Sequence, residues 1–366
     1  KQIPLNEDSK MFYEHPNFSL NPLPYIPSAI GINIGKMLDD NPISLLWAGR
    51  TANLFIYLII VFFAIRLIPF QKYALMLFAL TPMALFQASS ITYDSPMLAV
   101  SMFIVALVLH YNFLDKKIGL TQVLIFIGLI VLHRFLKEGY FLIPFFILII
   151  PISKYENKKL FYYIIAALLV SYFIPAYTWV AYIASLNLPP GKPLASDFLY
   201  GGPLASQALL ANPIDFGMKI INNIIGQGKD WIWGLLGKFG YSYVVMNKGI
   251  LFVYGLALLL ISLFDSAGKL EITLRQRIIS LAVGLLSGLM VIVGFFLVAS
   301  PVGASVVFGI QGRYFLPFFP IFIISMSNTI YKNAYFEKYK NMIISGFTIL
   351  VLGYTVNFIN NFFWGV

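Results

Sequence analysis

The chain has 366 residues, of which 59% are hydrophobic, 17% aromatic and only 11% charged. Soluble domains carry about 25% charged residues, and a mean hydropathy of +0.82 exceeds what one water-soluble core can hide. The composition therefore predicts a polytopic membrane protein, and it excludes soluble enzymes, secreted disulfide modules and disordered tails. The absence of cysteine also excludes a thiol nucleophile and a thiolate metal site.

The net charge of +10 does not imply a nucleic-acid partner. The basic residues lie mostly in short loops between apolar runs, as membrane orientation requires, and the partner they indicate is the lipid bilayer. The chain begins at Lys1, and no apolar run precedes residue 43, so we expect an N-terminal segment upstream of this sequence.

Residues 1–43 are polar and rich in proline, and we interpret them as a loop on the outer side of the membrane. Within them, Ile26, Ile30, Ile34 and Leu38 recur at helical spacing. A helix of this length is too short to cross a bilayer, so we expect it to lie flat at the interface.

Residues 44–366 form the predicted transmembrane domain, an all-α helical bundle. About ten spans are expected from apolar runs at 44–67, 73–90, 95–114, 118–133, 140–152, 160–186, 249–264, 278–299, 314–331 and 341–362. The runs at 118–133 and 140–152 are short and must tilt, borrow flanking residues or thin the bilayer.

Five short loops hold more than half of the 25 Lys and Arg residues, and short basic loops stay in the cytoplasm. This rule places the first segment and the long loop 187–248 on the outer face of a cell membrane. The long loop carries proline and glycine turn signals and an aromatic cluster that suits the outer headgroup level.

Polar residues at the predicted outer ends of the helices are the candidates for chemistry. Asp94, between two apolar runs, could act as a catalytic base for an acceptor hydroxyl, or simply cap the helix that begins at Ser95-Pro96. Arg313 stands at the head of an apolar run, next to Gln311 and Tyr314. Its guanidinium could grip a phosphate, or snorkel to lipid headgroups.

Three further basic side chains are candidates for binding an anionic substrate. Lys137 and Arg134 lie in a charged stretch between two short spans, where they either line an anionic-lipid pocket or pair with Glu138 in a solvated loop. Arg50, near the start of the first span, either meets an acid or a lipid phosphate or snorkels.

The first segment offers a weaker pair, Glu14 and His15, which could serve as an acid–base or metal pair or be solvated loop residues. Tyr25 follows Asn21-Pro22-Leu23-Pro24 at the start of the interfacial helix and is a candidate for substrate contact. The sequence has no metal-ligand spacing motif. Whether the site needs a divalent metal as cofactor stays open.

Three stretches carry a family resemblance. They are residues 21–31 with Gly49-Arg50-Thr51-Ala52-Asn53, residues 82–90 running to Asp94, and Gln311-Gly312-Arg313-Tyr314-Phe315-Leu316-Pro317. Together they resemble a family of predicted bacterial membrane proteins of unassigned function, grouped with the GT-C superfamily of membrane glycosyltransferases.

This resemblance implies a helical bundle with an outward-facing site that moves a sugar from a polyprenyl-phosphate carrier to a glycan or lipid acceptor. Asp94 matches by placement the acid that such enzymes keep at the outer end of a later helix. The acid of their first outer loop usually follows the first transmembrane helix, so its counterpart is expected upstream of Lys1.

Two other functions stay open. A transporter or flippase of lipid-linked saccharides should bury ionisable residues near the middle of the bilayer and show inverted repeats, whereas the central thirds of these spans are almost free of charge. A non-catalytic membrane protein with a degenerate site is the other alternative.

Overall fold

The computed structural model describes residues 21–39, 41–174, 207, 209–240, 243–265, 270, 272–300, 304–327 and 334–364. Its α-helices are α1 Ile26–Leu38, α2 Pro42–Leu67, α3 Lys72–Ala79, α4 Pro82–Ala88, α5 Asp94–Phe113, α6 Leu120–Leu136, α7 Lys158–Val170, α8 Pro213–Gly237, α9 Lys248–Phe264, α10 Leu274–Ala299, α11 Phe319–Ser325 and α12 Ala334–Trp364. Short 3-10 helices cover Leu23–Tyr25, Glu138–Tyr140, Ile143–Ile149, Ile152–Lys154 and Gly312–Phe315. One small antiparallel pair joins β1 Lys238–Phe239 to β2 Val244–Val245.

The all-α fold class is confirmed, and the chain is a multi-pass membrane protein that sits in a lipid bilayer. Within the described residues, four helices are long and apolar enough to cross a membrane, and two shorter apolar helices are Leu120–Leu136 and Lys248–Phe264. The four long helices are Pro42–Leu67, Asp94–Phe113, Leu274–Leu297 and Phe336–Phe362. The count of ten spans stays a prediction.

Several predicted spans are interrupted because a proline or a packed turn breaks the helix. The run 73–90 splits into α3 and α4 at Pro82, which lacks a backbone N–H, and the Thr81 hydroxyl caps α4 by accepting from the N–H of Ala84 at 3.3 Å. The run 140–152 forms a 3-10 helix, Ile143–Ile149, with most of its side chains buried. Irregular backbone at membrane depth is tolerated where protein surrounds it, as it does here.

Helix α5 is the central helix of the bundle. In α5, 78% of the residues in the most apolar stretch are buried inside the protein, compared with 28% in α2 and 17% in α12. Its neighbours include α2, α4, α6 and the 3-10 helix Ile143–Ile149. Because α5 is fixed on all sides, its first residue, Asp94, has a well-defined position at one end of the bundle, hereafter the Asp94 end.

Helix α1 pairs with helix α2, and its flat position at the membrane interface stays a prediction. It packs antiparallel along the first turns of the spanning helix α2, with Gly31 against Ala48 and Ala52, and Gly35 against Leu45 and Ala48. The two glycines remove the side chains that would separate the helices, so backbone packing fixes the orientation of α1.

At the opposite end of the bundle, a buried carboxylate caps α3. Asp265 Oδ2 accepts hydrogen bonds from the N–H groups of Tyr73 at 2.6 Å and Ala74 at 3.2 Å. Burial raises the pKa of Asp265 to about 6, although those two bonds act in the opposite direction. Gln71, with a φ of 55°, donates from Nε2 to the carbonyls of Ser262 and Ile323 and ties α9 to α11.

Candidate functional site

The turn between α4 and α5 places Asp94 at the end of the bundle. Two side chains of α2 hold this turn: Arg50 Nε donates to the carbonyl of Ser89 at 2.9 Å, and Asn53 Nδ2 donates to that of Ser90 at 2.7 Å. The backbone around Asp94 is therefore anchored to a spanning helix.

The Asp94 carboxylate bonds to side chains rather than capping its helix. Its Oδ1 lies 2.8 Å from Lys137 Nζ, and its Oδ2 accepts from Gln87 Nε2 at 2.9 Å. The N-cap of α5 is Tyr93, so the interpretation of Asp94 as the cap is wrong. The pairing of Lys137 with a residue 43 positions away also overturns the solvated-loop interpretation of Lys137, in which Glu138 was its partner.

Three tyrosine rings surround the Lys137 ammonium. Nζ lies 4.3 Å from the ring centre of Tyr93 and 5.2 Å from those of Tyr140 and Tyr314, within the range of cation–π attraction. Burial alone would lower the pKa of Lys137, but the Asp94 carboxylate raises it above its ordinary value. Lys137 is therefore a cation within a mostly aromatic wall, with its charge favoured by Asp94.

Arg313 reaches the same group of residues from the 3-10 helix Gly312–Phe315. Its guanidinium carbon lies 5.2 Å from the Tyr314 ring centre, and a terminal nitrogen donates to the Tyr314 hydroxyl at 3.3 Å. Its Nε is buried without a hydrogen-bond partner. Burial works to lower the pKa of Arg313, but Tyr314 and Asp94 raise it overall. We call Asp94, Lys137, Arg313, Tyr93, Tyr140 and Tyr314 the polar cluster.

Hydrogen bonding and close backbone packing hold this 3-10 helix in place. Tyr140 donates its hydroxyl to the carbonyl of Tyr314 at 3.0 Å. Gly312 lies against α8 so closely that a Cβ there would stand 2.0 Å from the carbonyl oxygen of Trp231. Only glycine fits this contact, so the residue before Arg313 must be glycine. The contact also couples the polar cluster to α8.

An apolar groove of about 590 Å³ begins beside this segment. Side chains of α8, α9 and α11 line it together with Phe315, whose ring stacks on that of Trp231 at 5.3 Å. Lys229 is the charged residue of its lining. Phe315 lies two residues along the chain from Arg313, so the segment that carries Arg313 also contributes to the groove lining.

The structure brings together four of the predicted site residues, Asp94, Lys137, Arg313 and Tyr314. Tyr25 lies beside them, with its ring centre 6.2 Å from that of Tyr93. Burial and the charges of Tyr93 and Asp94 raise the pKa of Tyr25.

The other predicted residues stand apart from the polar cluster or outside the described chain. Arg134 is turned towards the rings of Phe141 and Tyr172, at 5.6 and 5.1 Å. Arg50 supports the Ser89 turn and stacks on Trp47, and Gln311 precedes the 3-10 helix as its N-cap. Glu14 and His15 lie outside the described residues.

Sequence reasoning missed Tyr93, Tyr140 and Gln87. Tyr93 is next to Asp94 and Tyr140 is three residues after Lys137, so an aromatic residue close in sequence to a boundary charge is the signal that could have found them. In the described part of the chain, no group of three or more His, Asp or Glu residues could hold a metal ion.

A family model described as "Predicted membrane protein (DUF2142)" matches residues 1–322. The chain belongs to this family. The match covers most of the chain, including the polar cluster and the groove-lining segments. No curated protein and no solved structure matches the chain. The family description agrees with the prediction of a membrane protein and assigns no chemistry to the site.

Proposed function

We propose that this chain is an integral membrane glycosyltransferase that takes a sugar from a polyprenyl-phosphate carrier. The observation that carries the proposal is the meeting of Asp94, Lys137 and Arg313 at one end of the bundle, together with an apolar groove lined by Phe315 of the Arg313 segment. A lipid-linked phosphate requires this combination of cations and oily surface, and a hydroxyl acceptor requires a carboxylate.

In this reaction the acceptor hydroxyl oxygen attacks the anomeric carbon of the sugar and gives its proton to Asp94. The bond from the anomeric carbon to the phosphate oxygen breaks, and the polyprenyl phosphate leaves with its negative charge. Arg313 and Lys137 stabilise that charge, and Arg313 offers a buried Nε donor without a partner. The Asp94 side chain keeps 18% of its surface exposed, so an acceptor can reach it.

The remaining parts of the site have roles that follow from their chemistry. The groove between α8, α9 and α11 holds the polyprenyl chain. The tyrosine rings around Lys137 suit a sugar face, because aromatic rings combine an apolar body with a polar hydroxyl. By the distribution of basic loops, the Asp94 end faces outward, towards the periplasm, and the acceptor is a glycan or lipid there. The GT-C-like fold stays part of this proposal.

One observation favours a non-catalytic role instead. Asp94 is already held by Lys137 and Gln87, as a purely structural carboxylate would be. A transporter has less support, since the described ion pair lies at the end of α5 rather than at its middle.

The test is sugar transfer in vitro from a panel of polyprenyl-phosphate sugars, using the full-length protein in lipid vesicles. We expect transfer from at least one donor, loss of turnover in Asp94→Asn, and unchanged turnover in the matched control Asp215→Asn, whose carboxylate is 54% exposed on α8. Full turnover by a folded Asp94→Asn variant would exclude Asp94 as the base. The absence of transfer from every donor would favour the non-catalytic role.

A further inference from the structure

Helices α1 and α2 form a hairpin with small residues on the inside. A Cβ built on Gly31 would lie 2.5 Å from the carbonyl oxygen of Ala48, and one on Gly35 would lie 2.9 Å from the Ala48 side chain. Both helices carry their small residues four positions apart, Gly31 and Gly35 on α1, and Ala48 and Ala52 on α2. This spacing brings helix backbones together inside membranes.

The large apolar side chains of the same hairpin point outward. Eight of them are 47–85% exposed: Ile26, Ile30, Ile34, Met37, Leu38, Ile43, Leu46 and Trp47. A hairpin that is surrounded by water buries its large apolar residues, since burial of apolar area is what drives its folding. This hairpin has the opposite arrangement, which is stable only where the surrounding medium is itself apolar.

The exposed face of the hairpin continues the lipid-facing surface of the spanning helix. Further along α2, Phe55, Leu58, Ile59, Phe62 and Phe63 are also exposed on the apolar outside of the bundle. No break in the helix separates the two parts, because α2 is continuous from Pro42 to Leu67. The single charged side chain within the hairpin part of α2, Arg50, is turned to the Ser89 carbonyl.

We infer that the outward face of the α1–α2 hairpin is a lipid-contact surface and that its partner is the acyl-chain region of the bilayer, not water or a second copy of the chain. Asn53, at the level of the polar cluster, lies 11 residues along α2 from Pro42. At 1.5 Å per residue, Asn53 lies about 16 Å along α2 from Pro42.

The hairpin also forms one side of the site. Tyr25, just before α1, contacts the ring of Tyr93, and Arg50 and Asn53 of α2 hold the turn before Asp94. Lipid around the hairpin would thus support the geometry of the polar cluster. This inference depends on the packing of α1 on α2 and not on the proposed glycosyltransferase reaction.

Single-cysteine labelling tests the inference, and the natural chain has no cysteine to interfere. Variants Ile30→Cys and Ile34→Cys, each at a side chain more than half exposed, carry an environment-sensitive fluorophore in vesicles of phosphatidylethanolamine and phosphatidylglycerol. Phe62→Cys, in the second half of α2, is the matched lipid-facing control, and Lys116→Cys is the water-facing control in a loop. Elution as a monodisperse peak in detergent shows that each variant has folded.

We expect nitroxide-labelled lipids to quench the fluorophore at positions 30 and 34 about as strongly as at 62, and several-fold more than at 116. Iodide, which stays in water, should show the reverse order. Iodide quenching at 30 and 34 equal to that at 116 would overturn the inference, since it places the hairpin in water. Protection from both quenchers would also overturn it, because a protein partner or second copy then covers the face.

Discussion

The ion pair between Lys137 and Asp94 gives the most quantitative prediction. Removing one partner of a fully buried ion pair costs about 3–5 kcal/mol, because a charge is left without compensation. Here the two side chains keep 19% and 18% of their surface exposed, so solvent screens part of the charge. We therefore expect Lys137→Met to lower the free energy of unfolding by about 2–3 kcal/mol.

A double-mutant cycle separates the pair from the surrounding contacts. Asp94→Asn alone leaves the Lys137 ammonium within three tyrosine rings, and the double variant removes both charges. Because either charge is harmful without the other, the two single costs should not add, and we expect a coupling free energy of about 1–3 kcal/mol. The assay is equilibrium unfolding in mixed micelles with increasing sodium dodecyl sulfate.

A second ion pair in the same chain is the control. Lys340 and Glu337 on α12 are also 2.8 Å apart, but their side chains are 26% and 50% exposed. Exposed pairs at this helical spacing contribute about 0.2–0.5 kcal/mol. Equal coupling in the two pairs would refute our reasoning, because burial would then add nothing to the Lys137–Asp94 interaction.

Two further predictions concern packing and pH. Gly312→Ala should lower the unfolding free energy by about 1–3 kcal/mol, because the added Cβ would lie 2.0 Å from the Trp231 carbonyl oxygen. Gly294→Ala is the control, since a Cβ there would have nothing within 4 Å. This control should leave the thermal midpoint of unfolding unchanged or raise it. Burial raises the pKa of Asp265 to about 6 from 3.8, so the folded state holds the proton more tightly. The contribution of Asp265 to stability, about 3 kcal/mol, should be present below pH 4 and lost as the pH rises through 6. As the pH rises from about 4 to about 7, the unfolding free energy of the natural protein should fall, and that of Asp265→Asn should change less. Equal slopes of unfolding free energy against pH in the two proteins would contradict the assignment to Asp265.

The apolar runs predicted the long helices well, because length and hydropathy alone decide whether a segment can cross a bilayer. The runs 73–90 and 140–152 were wrong as continuous spans. At Pro82 the break was visible in the sequence, whereas the 3-10 helix Ile143–Ile149 is stable because its neighbours in the fold bury it. The two glycines of α1 pack on α2, a contact that the apolar stripe does not reveal.

Charges at helix ends were the useful signal for the site. Asp94, Lys137 and Arg313 were selected because charge at the edge of an apolar run is costly, and the structure brings them together. Their pairing was not predictable, since Glu138 is adjacent to Lys137 and Asp94 is distant. Of the three tyrosines around Lys137, Tyr314 was selected beside Arg313, whereas Tyr93 and Tyr140 were missed among the 22 tyrosines of the chain.

Binding of a polyprenyl phosphate to the purified full-length protein tests the central claim most directly. The account predicts saturable binding that weakens at least about tenfold in Arg313→Ala, because one charge-assisted contact is lost. Binding should be unchanged in the control Lys340→Met, at a lysine of α12 outside the polar cluster. Equal affinity in the natural protein and Arg313→Ala, with Arg313→Ala still folded, would contradict a phosphate site in the polar cluster.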